Sequence, residues 1–307
     1  MNKNLSREEQ IALIYDRWQK MTITSDPMFG LVMQNKEICL ELINRALPKL
    51  KAKKIIQLES QKDVNSVGAR RVRFDVYVRD SKNNIVVIEM QVNDQKNLPA
   101  RLRYYQEQVD HGLLHPGEDY SILNHYPTYI IMFCNFDYFG RGWARYEFKL
   151  TCTKDHHLRF DDKRTIVVFN ALAKEFDSDD QAIKNFLALM RNKDDNNSRF
   201  IAQIQSEIKR VKNDPERRDG FMKYEINLMD AKRKGLEEGL KEGRKKGREE
   251  GLEEGRKKGL KEARLSSIKD LVSTLQELNI EPDVIKQKVS EKYHLSAQEV
   301  NEFLKEE

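Results

Sequence analysis

Apolar and polar positions along this 307-residue chain change their period several times, and each change marks an element. Residues 5 to 21 follow a helical pattern, TITSDPMFG reads as a break, and a second helical pattern runs from about Asn35 to Leu47, ended by Pro48. KIIQLES, residues 54 to 60, predicts a first strand and is followed by the polar stretch QKDVNSVGA. Arg71 to Val92 then reads RVRFDVYVRDSKNNIVVIEMQV, two runs of period two around a polar turn, which predicts an antiparallel hairpin. Leu98, Leu102, Tyr105, Val109 and Leu113 fall at helical spacing in a segment that ends before Pro116. PTYIIMFCNF is compact, apolar and rich in β-branched and aromatic residues, so it reads as a buried strand, with YEFKLTC and RTIVVFNA as further strands. The predicted order is an α/β arrangement, a mixed sheet flanked by helices.

From Ser178 onward the periodicity is helical only. SDDQAIKNFLALMR carries an apolar stripe of Ile183, Phe186, Leu187 and Met190, and further helical patterns span Asn197 to Lys212 and Pro215 to Lys234. Glycine then recurs at 235, 239, 243, 247, 251, 255 and 259 among Glu, Lys and Arg. Seven glycines cost a helix on the order of 7 kcal/mol relative to alanine, whereas a Glu-to-Lys pair at i,i+4 returns only about 0.2–0.5 kcal/mol. Two readings are open here, a helix whose glycine stripe lets a second copy approach closely, and a solvated linker. Three short amphipathic patterns follow, the last opened by a capping box of Ser296 and Glu299. The expected organisation is a core over residues 1–177, a helical extension over 178–234, the glycine-periodic segment 235–264 and a small helical tail over 265–307.

The hairpin carries the chemistry. Folded about Lys82, it sets Asp75 opposite Glu89, Arg73 opposite Gln91 and Tyr77 opposite Val87, and leaves Phe74, Val76, Val78, Val86, Ile88 and Met90 on an apolar face. Cross-strand Cβ atoms lie roughly 4.5–5.5 Å apart, where like charges repel. A sheet with one solvated face would carry such acids by chance. Glu89, however, interrupts a strand that is otherwise nearly all apolar and so buried on both sides. A buried acid needs compensation by a cation. Two carboxylates on a rigid sheet suit Mg²⁺, which takes oxygen ligands and bridges to phosphate oxygens, and such a metal assists phosphodiester hydrolysis. Gln91 can position water or phosphate but cannot act as a base.

Composition narrows the setting without identifying it. Charged residues make up 34% of the chain, and no apolar run is long enough to span a membrane. MNKNLSREEQ lacks a signal-peptide core, so the expected location is the cytoplasm. Cys39, Cys134 and Cys152 are widely spaced and read as reduced thiols. A net charge of +5 permits binding to a polyanion without demanding it. No phosphate-binding glycine loop, nucleophile elbow or Cys-His cluster supports another enzyme class.

Asp75, thirteen residues, then Glu89-Met90-Gln91 on a hairpin between helices resembles the PD-(D/E)XK nuclease superfamily, in the variant whose motif ends in ExQ. DPMFG at 26–30, the RFDV and IEMQV strands, RLRYYQ at 101–106 and the glycine-periodic tail are similar to the Rpn family of recombination-promoting nucleases, also described as PD-(D/E)XK family transposases. The resemblance covers about residues 20 to 260. It implies a restriction-endonuclease-like fold followed by an all-helical C-terminal region, and Mg²⁺-dependent cleavage of DNA with Asp75 and Glu89 as metal ligands. It places Gln91 where the superfamily usually has a catalytic lysine, which opens the alternative of a weak or inactive DNA-binding protein. It also implies a further acid from the first core helix, for which Glu37 or Glu41 is the candidate, while Asp26 reads as a helix cap. Arg73, Arg101 and Tyr104, with Arg70 and Arg71, are candidate DNA contacts, since arginine grips backbone phosphate and aromatics stack on bases. Tyr105 also fits the apolar stripe of its helix. His111 and His115 share i,i+4 spacing but read as helix-end residues.

Overall fold

The computed structural model describes residues 6–64, 70–193 and 198–303, in two compact units, 1–226 and 227–307. In the first unit α1 (Arg7–Lys20) opens with a reciprocal capping box between Ser6 and Glu9. The segment read as a break holds a helix, α2 (Asp26–Met33), because Pro27 sits in the first turn, where its missing N–H costs nothing. Its side chains Met28, Phe29, Val32 and Met33 are fully buried, so the run is too apolar to remain a loop. Helix α3 (Lys36–Ala46) is capped by the Asn35 side chain and matches its predicted span.

Strand β1 (Ile55–Val64) runs into the stretch read as polar and non-regular, pairing as far as Val64 with β2 (Val72–Asp80), and the rest of that stretch, 65–69, lies outside the described residues. Strand β3 (Ile85–Gln91) closes the hairpin, and α4 (Leu98–His111) carries the chain over to β4 (Thr128–Cys134), parallel to β3. β5 (Arg145–Phe148) and β6 (Arg164–Asn170) complete a six-stranded sheet in the order β1-β2-β3-β4-β6-β5. The sheet is antiparallel from β1 to β3, parallel through β4 and β6, and antiparallel again at β5. This is the mixed, helix-flanked sheet that the residue pattern predicts.

Apolar side chains cover both faces of the sheet. On one face Val76, Val78, Val86, Ile88, Ile131, Phe133, Val167 and Phe169 pack with residues of α1 to α3 and of the later helices α5 (Lys184–Met190) and α6 (Arg199–Asn213). On the other, Ile85, Val87, Ile130 and Met132 pack with Leu98, Leu102, Tyr105 and Val109 of α4. The boundary expected after residue 177 is therefore not one in the packing. Ile183, Phe186, Phe200 and Ile204 belong to the same core as the sheet, and buried Trp18 donates its indole N–H to Lys212 O (3.1 Å) and packs on Phe221.

Helix α7 (Pro215–Glu277) contains the whole glycine-periodic segment, so of the two local readings the helical conformation is the one adopted. The second unit has a small core of Ile268, Val272, Ile285, Val289 and Val300 built on α7, α8 (Pro282–Tyr293) and α9 (Ala297–Phe303). The capping box at Ser296 and Glu299 forms as the sequence predicts. Among the described residues no helix is long and apolar enough to cross a membrane.

Candidate active site

Tyr77 pairs with Val87 and Val76 with Ile88, which is the hairpin register predicted about Lys82. The β2–β3 ladder then stops, one pair short of Asp75 and Glu89. In its place the Asp75 N–H donates to Glu89 Oε1 (2.9 Å), and the Met90 N–H donates to Asp75 Oδ2 (3.1 Å). Each carboxylate thus takes over a backbone donor of the opposite strand, as buried polar groups require. The side-chain alternation slips at this point. Phe74, expected with Val76 and Val78, packs instead with Tyr77 and Tyr105 on the α4 face, its ring 5.4 Å from that of Tyr105. The expected pairing of Arg73 with Gln91 does not form; Arg73 lies exposed opposite Asp63 of β1, and Gln91 pairs with Cys134 of β4. The acids lie at the carboxyl end of β3, the strand on which pairing changes from antiparallel to parallel, a place where open α/β sheets commonly hold ligands.

Glu89 is fully buried. Its second oxygen is held by Arg101 from the second turn of α4, Nη2 to Oε2 at 2.9 Å. The same guanidinium donates to Gln91 Oε1 (3.2 Å) and to Tyr105 Oη (2.8 Å) and lies 4.9 Å from the Tyr105 ring centroid. Gln91 uses its amide N–H on Asn93 O (2.9 Å), so both ends of its side chain are fixed. Arg101, read from sequence as a DNA contact, is in the structure the cation of the acid cluster.

Asp26 supplies an acid that sequence reasoning assigned elsewhere. Ser25 occupies the N-cap and makes no side-chain cap bond, while Asp26 is the first residue of α2 and caps nothing. Its carboxylate lies near enough to Asp75 to raise that group's pKa, and its Oδ1 accepts from Gln61 Nε2 (3.0 Å). Gln61 holds a left-handed φ of 54° within β1, between pairs Ser60–Val76 and Lys62–Phe74, which puts it level with Asp75. Asp-Pro before MFGLVM was a legible helix-start signal; nothing in a glutamine announces a left-handed strand position.

The electrostatics agree with a crowded acidic site. Burial, with the charge of Asp26, raises the Asp75 carboxyl from its ordinary 3.8 to about 6, against the pull of the Met90 amide and Arg101. Burial and the charge of Asp75 also push Glu89 well above the usual carboxylate range, although the Asp75 amide and Arg101 oppose them. Burial, followed by the charge of Glu89, moves the Tyr105 phenol up to about 12.

Other sequence candidates lie apart from this cluster. Glu41 is half exposed and ion-paired with Arg45 at 2.8 Å, and Glu37 is exposed in the first turn of α3; neither joins the acids. Tyr104 donates its hydroxyl to Arg70 O (2.9 Å). His111 and His115 are exposed at and beyond the end of α4, and among the described residues no three His, Cys, Asp or Glu side chains form a ready metal cage. Cys39, Cys134 and Cys152 are free thiols, the first two buried.

Comparison with curated proteins and with solved structures gives no match. A family model described as PD-(D/E)XK nuclease family transposase matches residues 27–235, from the second residue of α2 to the first periodic glycine. That span exceeds half the chain and takes in the parted hairpin, Asp75, Glu89, Gln91 and the Arg101 clamp. The chain therefore belongs to the PD-(D/E)XK nuclease family transposases.

Proposed function

We propose that this protein is a cytoplasmic, Mg²⁺-dependent DNA endonuclease that serves recombination or a mobile element. One observation carries the reading: two carboxylates, one fully buried, replace ladder bonds where β2 and β3 part, with a third acid beside them. Among the described residues Arg101 is the cation that answers Asp75 and Glu89, and with Asp26 beside Asp75 negative charge is in surplus. Their hard oxygen donors fit Mg²⁺, which keeps several waters and so needs only one or two carboxylates rather than a complete cage. Asp75 and Glu89 are its proposed ligands, and Asp26 replaces Glu41 as the proposed helix-borne acid. Bound there, the cation would polarise the scissile phosphate and make a coordinated water more acidic.

The chain's own groups divide the remaining work. Arg101 holds its charge at the acid cluster whether or not substrate is present, and so offers the scissile phosphate a cation beside a lysine position filled by Gln91. Gln91, locked between Arg101 and Asn93 O, orients a water or phosphate oxygen without exchanging protons. Exposed Arg73 and the neighbouring Arg70 and Tyr104 are proposed contacts to the DNA backbone. Residues 235–264, held as helix, are a proposed face for self-association.

The glutamine supports a second reading, a DNA-binding or oligomerisation protein that keeps the fold without turnover. Cleavage of plasmid DNA with Mg²⁺ separates the two. The native chain is expected to nick or cut, with Asp75→Asn and Glu89→Gln reduced at least about a hundredfold. A native chain as inert as both variants establishes the second reading, and variants as active as the native chain refute the assigned site.

A further inference from the structure

Strands β3, β4 and β6 run parallel, and their amino ends meet at the end of the sheet opposite the acids. Glu89 lies four residues beyond Ile85, on the order of 13 Å along β3 from that end. A cavity of about 400 Å³ opens there, lined by Asn84 before β3, Pro127 before β4 and Arg164 at the start of β6. Its volume is that of a small-ligand site, but ordinary ligand pockets are predominantly apolar. This one has seven basic and three acidic side chains on its wall.

Among the described residues five of these seven cations are ion-paired, Lys49 with Asp179 outside the wall at 3.2 Å, and two are not. Arg145 and Arg164 are committed to Glu147 and Asp162. Lys149 and Lys163 pair with Glu147 (2.6 Å) and Asp161 (2.7 Å) at the surface, where such pairs contribute little and exchange partners readily. Lys82 and Arg159 have no ion pair among the described residues, so their charges stand uncompensated on the cavity wall. The β2–β3 turn that presents Lys82 is itself braced, since buried Asp80 accepts from the Lys82 and Asn84 amides at 2.8 and 2.9 Å. On the facing loop Asp161 and Lys163 both hold left-handed backbone (φ 57° and 60°), a conformation that non-glycine residues keep only where their surroundings enforce it.

We propose that this basal cavity is a second site, which takes a ligand bearing two or more adjacent phosphates. A single carboxylate would leave most of the positive surplus unanswered, and an apolar ligand would have to desolvate it. A diphosphate-like anion accepts from several ammonium and guanidinium donors at once. A free nucleotide and a nucleic-acid strand both offer that chemistry. The site does not depend on whether the acids at the other end cleave DNA.

Calorimetric titration tests it on full-length Asp75→Asn protein in EDTA, which silences the acid cluster, with three separate titrants: pyrophosphate, ATP and a 20-nucleotide DNA strand. Pyrophosphate is expected to bind, and Lys82→Glu with Arg159→Glu is expected to weaken it about tenfold or more, while the far-ultraviolet circular dichroism and melting temperature stay unchanged. Binding of the strand that pyrophosphate displaces identifies nucleic acid as the source; binding of ATP without the strand identifies a free nucleotide. Absence of pyrophosphate binding at millimolar concentration overturns the proposal, as does equal binding by a folded double variant. If that double variant does not fold, Lys82→Ala and Arg159→Ala are tested singly under the same criteria. Because cleavage is measured separately with Mg²⁺ on the native chain, failure here leaves the nuclease reading standing, and the converse holds as well.

Discussion

Glu89 is fully buried, and its carboxylate oxygens are held by the Asp75 amide and the Arg101 guanidinium. Removing Arg101 leaves an uncompensated buried acid, so Arg101→Ala is expected to cost about 2 kcal/mol of stability, below the full penalty for a buried pair because Arg101 retains contact with solvent. The double variant Arg101→Ala with Glu89→Gln should recover most of that loss in urea unfolding, and equal stability of the single and double variants would contradict the charge argument. Asp75 fixes a pH dependence. Its carboxyl is raised from 3.8 to about 6 in the folded chain, so the folded state prefers the proton. That contribution is fully present below about pH 4 and is lost as pH rises through 6. Metal-free protein should therefore lose melting temperature between pH 4 and 7 by more than Asp75→Asn does, and Mg²⁺ should raise the native melting temperature more at pH 8 than at pH 5. A Mg²⁺ effect equal at both values would mean that these carboxylates are not its ligands.

At the scale of elements, the hairpin and the periodic helix show opposite relations between pattern and structure. Alternation placed β2 and β3 in the right register, but it could not reveal that the strands part at Asp75, because twist and side-chain insertion leave no trace in a period of two. The glycine repeat was ambiguous by propensity alone, and it forms helix with open space beside every periodic glycine. Replacing Gly239, Gly247 and Gly255 together by alanine meets no neighbour in the chain and should stabilise the helix by about 1 kcal/mol per site. Helix content by circular dichroism checks that gain. The same variant tests the proposed close approach of a second copy: sedimentation should show a smaller species than the native chain, and an unchanged mass rules the glycine face out as a contact.

At the scale of the molecule, residues 178–226 complete one face of the sheet rather than extending beyond it. A fragment ending at Ile226 should melt cooperatively, whereas one ending at Asp177 loses buried Ile183, Phe186, Phe200 and Ile204 and should show no cooperative transition. Equal cooperativity would restore the shorter core that the change of periodicity suggested. Local order was legible in the sequence because periodicity and capping act over a few residues: the strand runs, the register about Lys82, α3, α4 and the Ser296 box all follow from neighbours in the chain. Asp75 and Glu89 were legible for the same reason, as they lie on one hairpin. Only the tertiary structure decided which distant groups join them. Asp26 comes 49 positions before Asp75, and Glu41, an equally plausible acid by spacing, is held by Arg45 instead. Arg101 is turned inward by a buried charge that needs a counter-ion, and the amino ends of three parallel strands gather lysines and arginines from separate loops. Burial and long-range pairing are properties of packed layers, and a linear pattern records only which side chains are available to them.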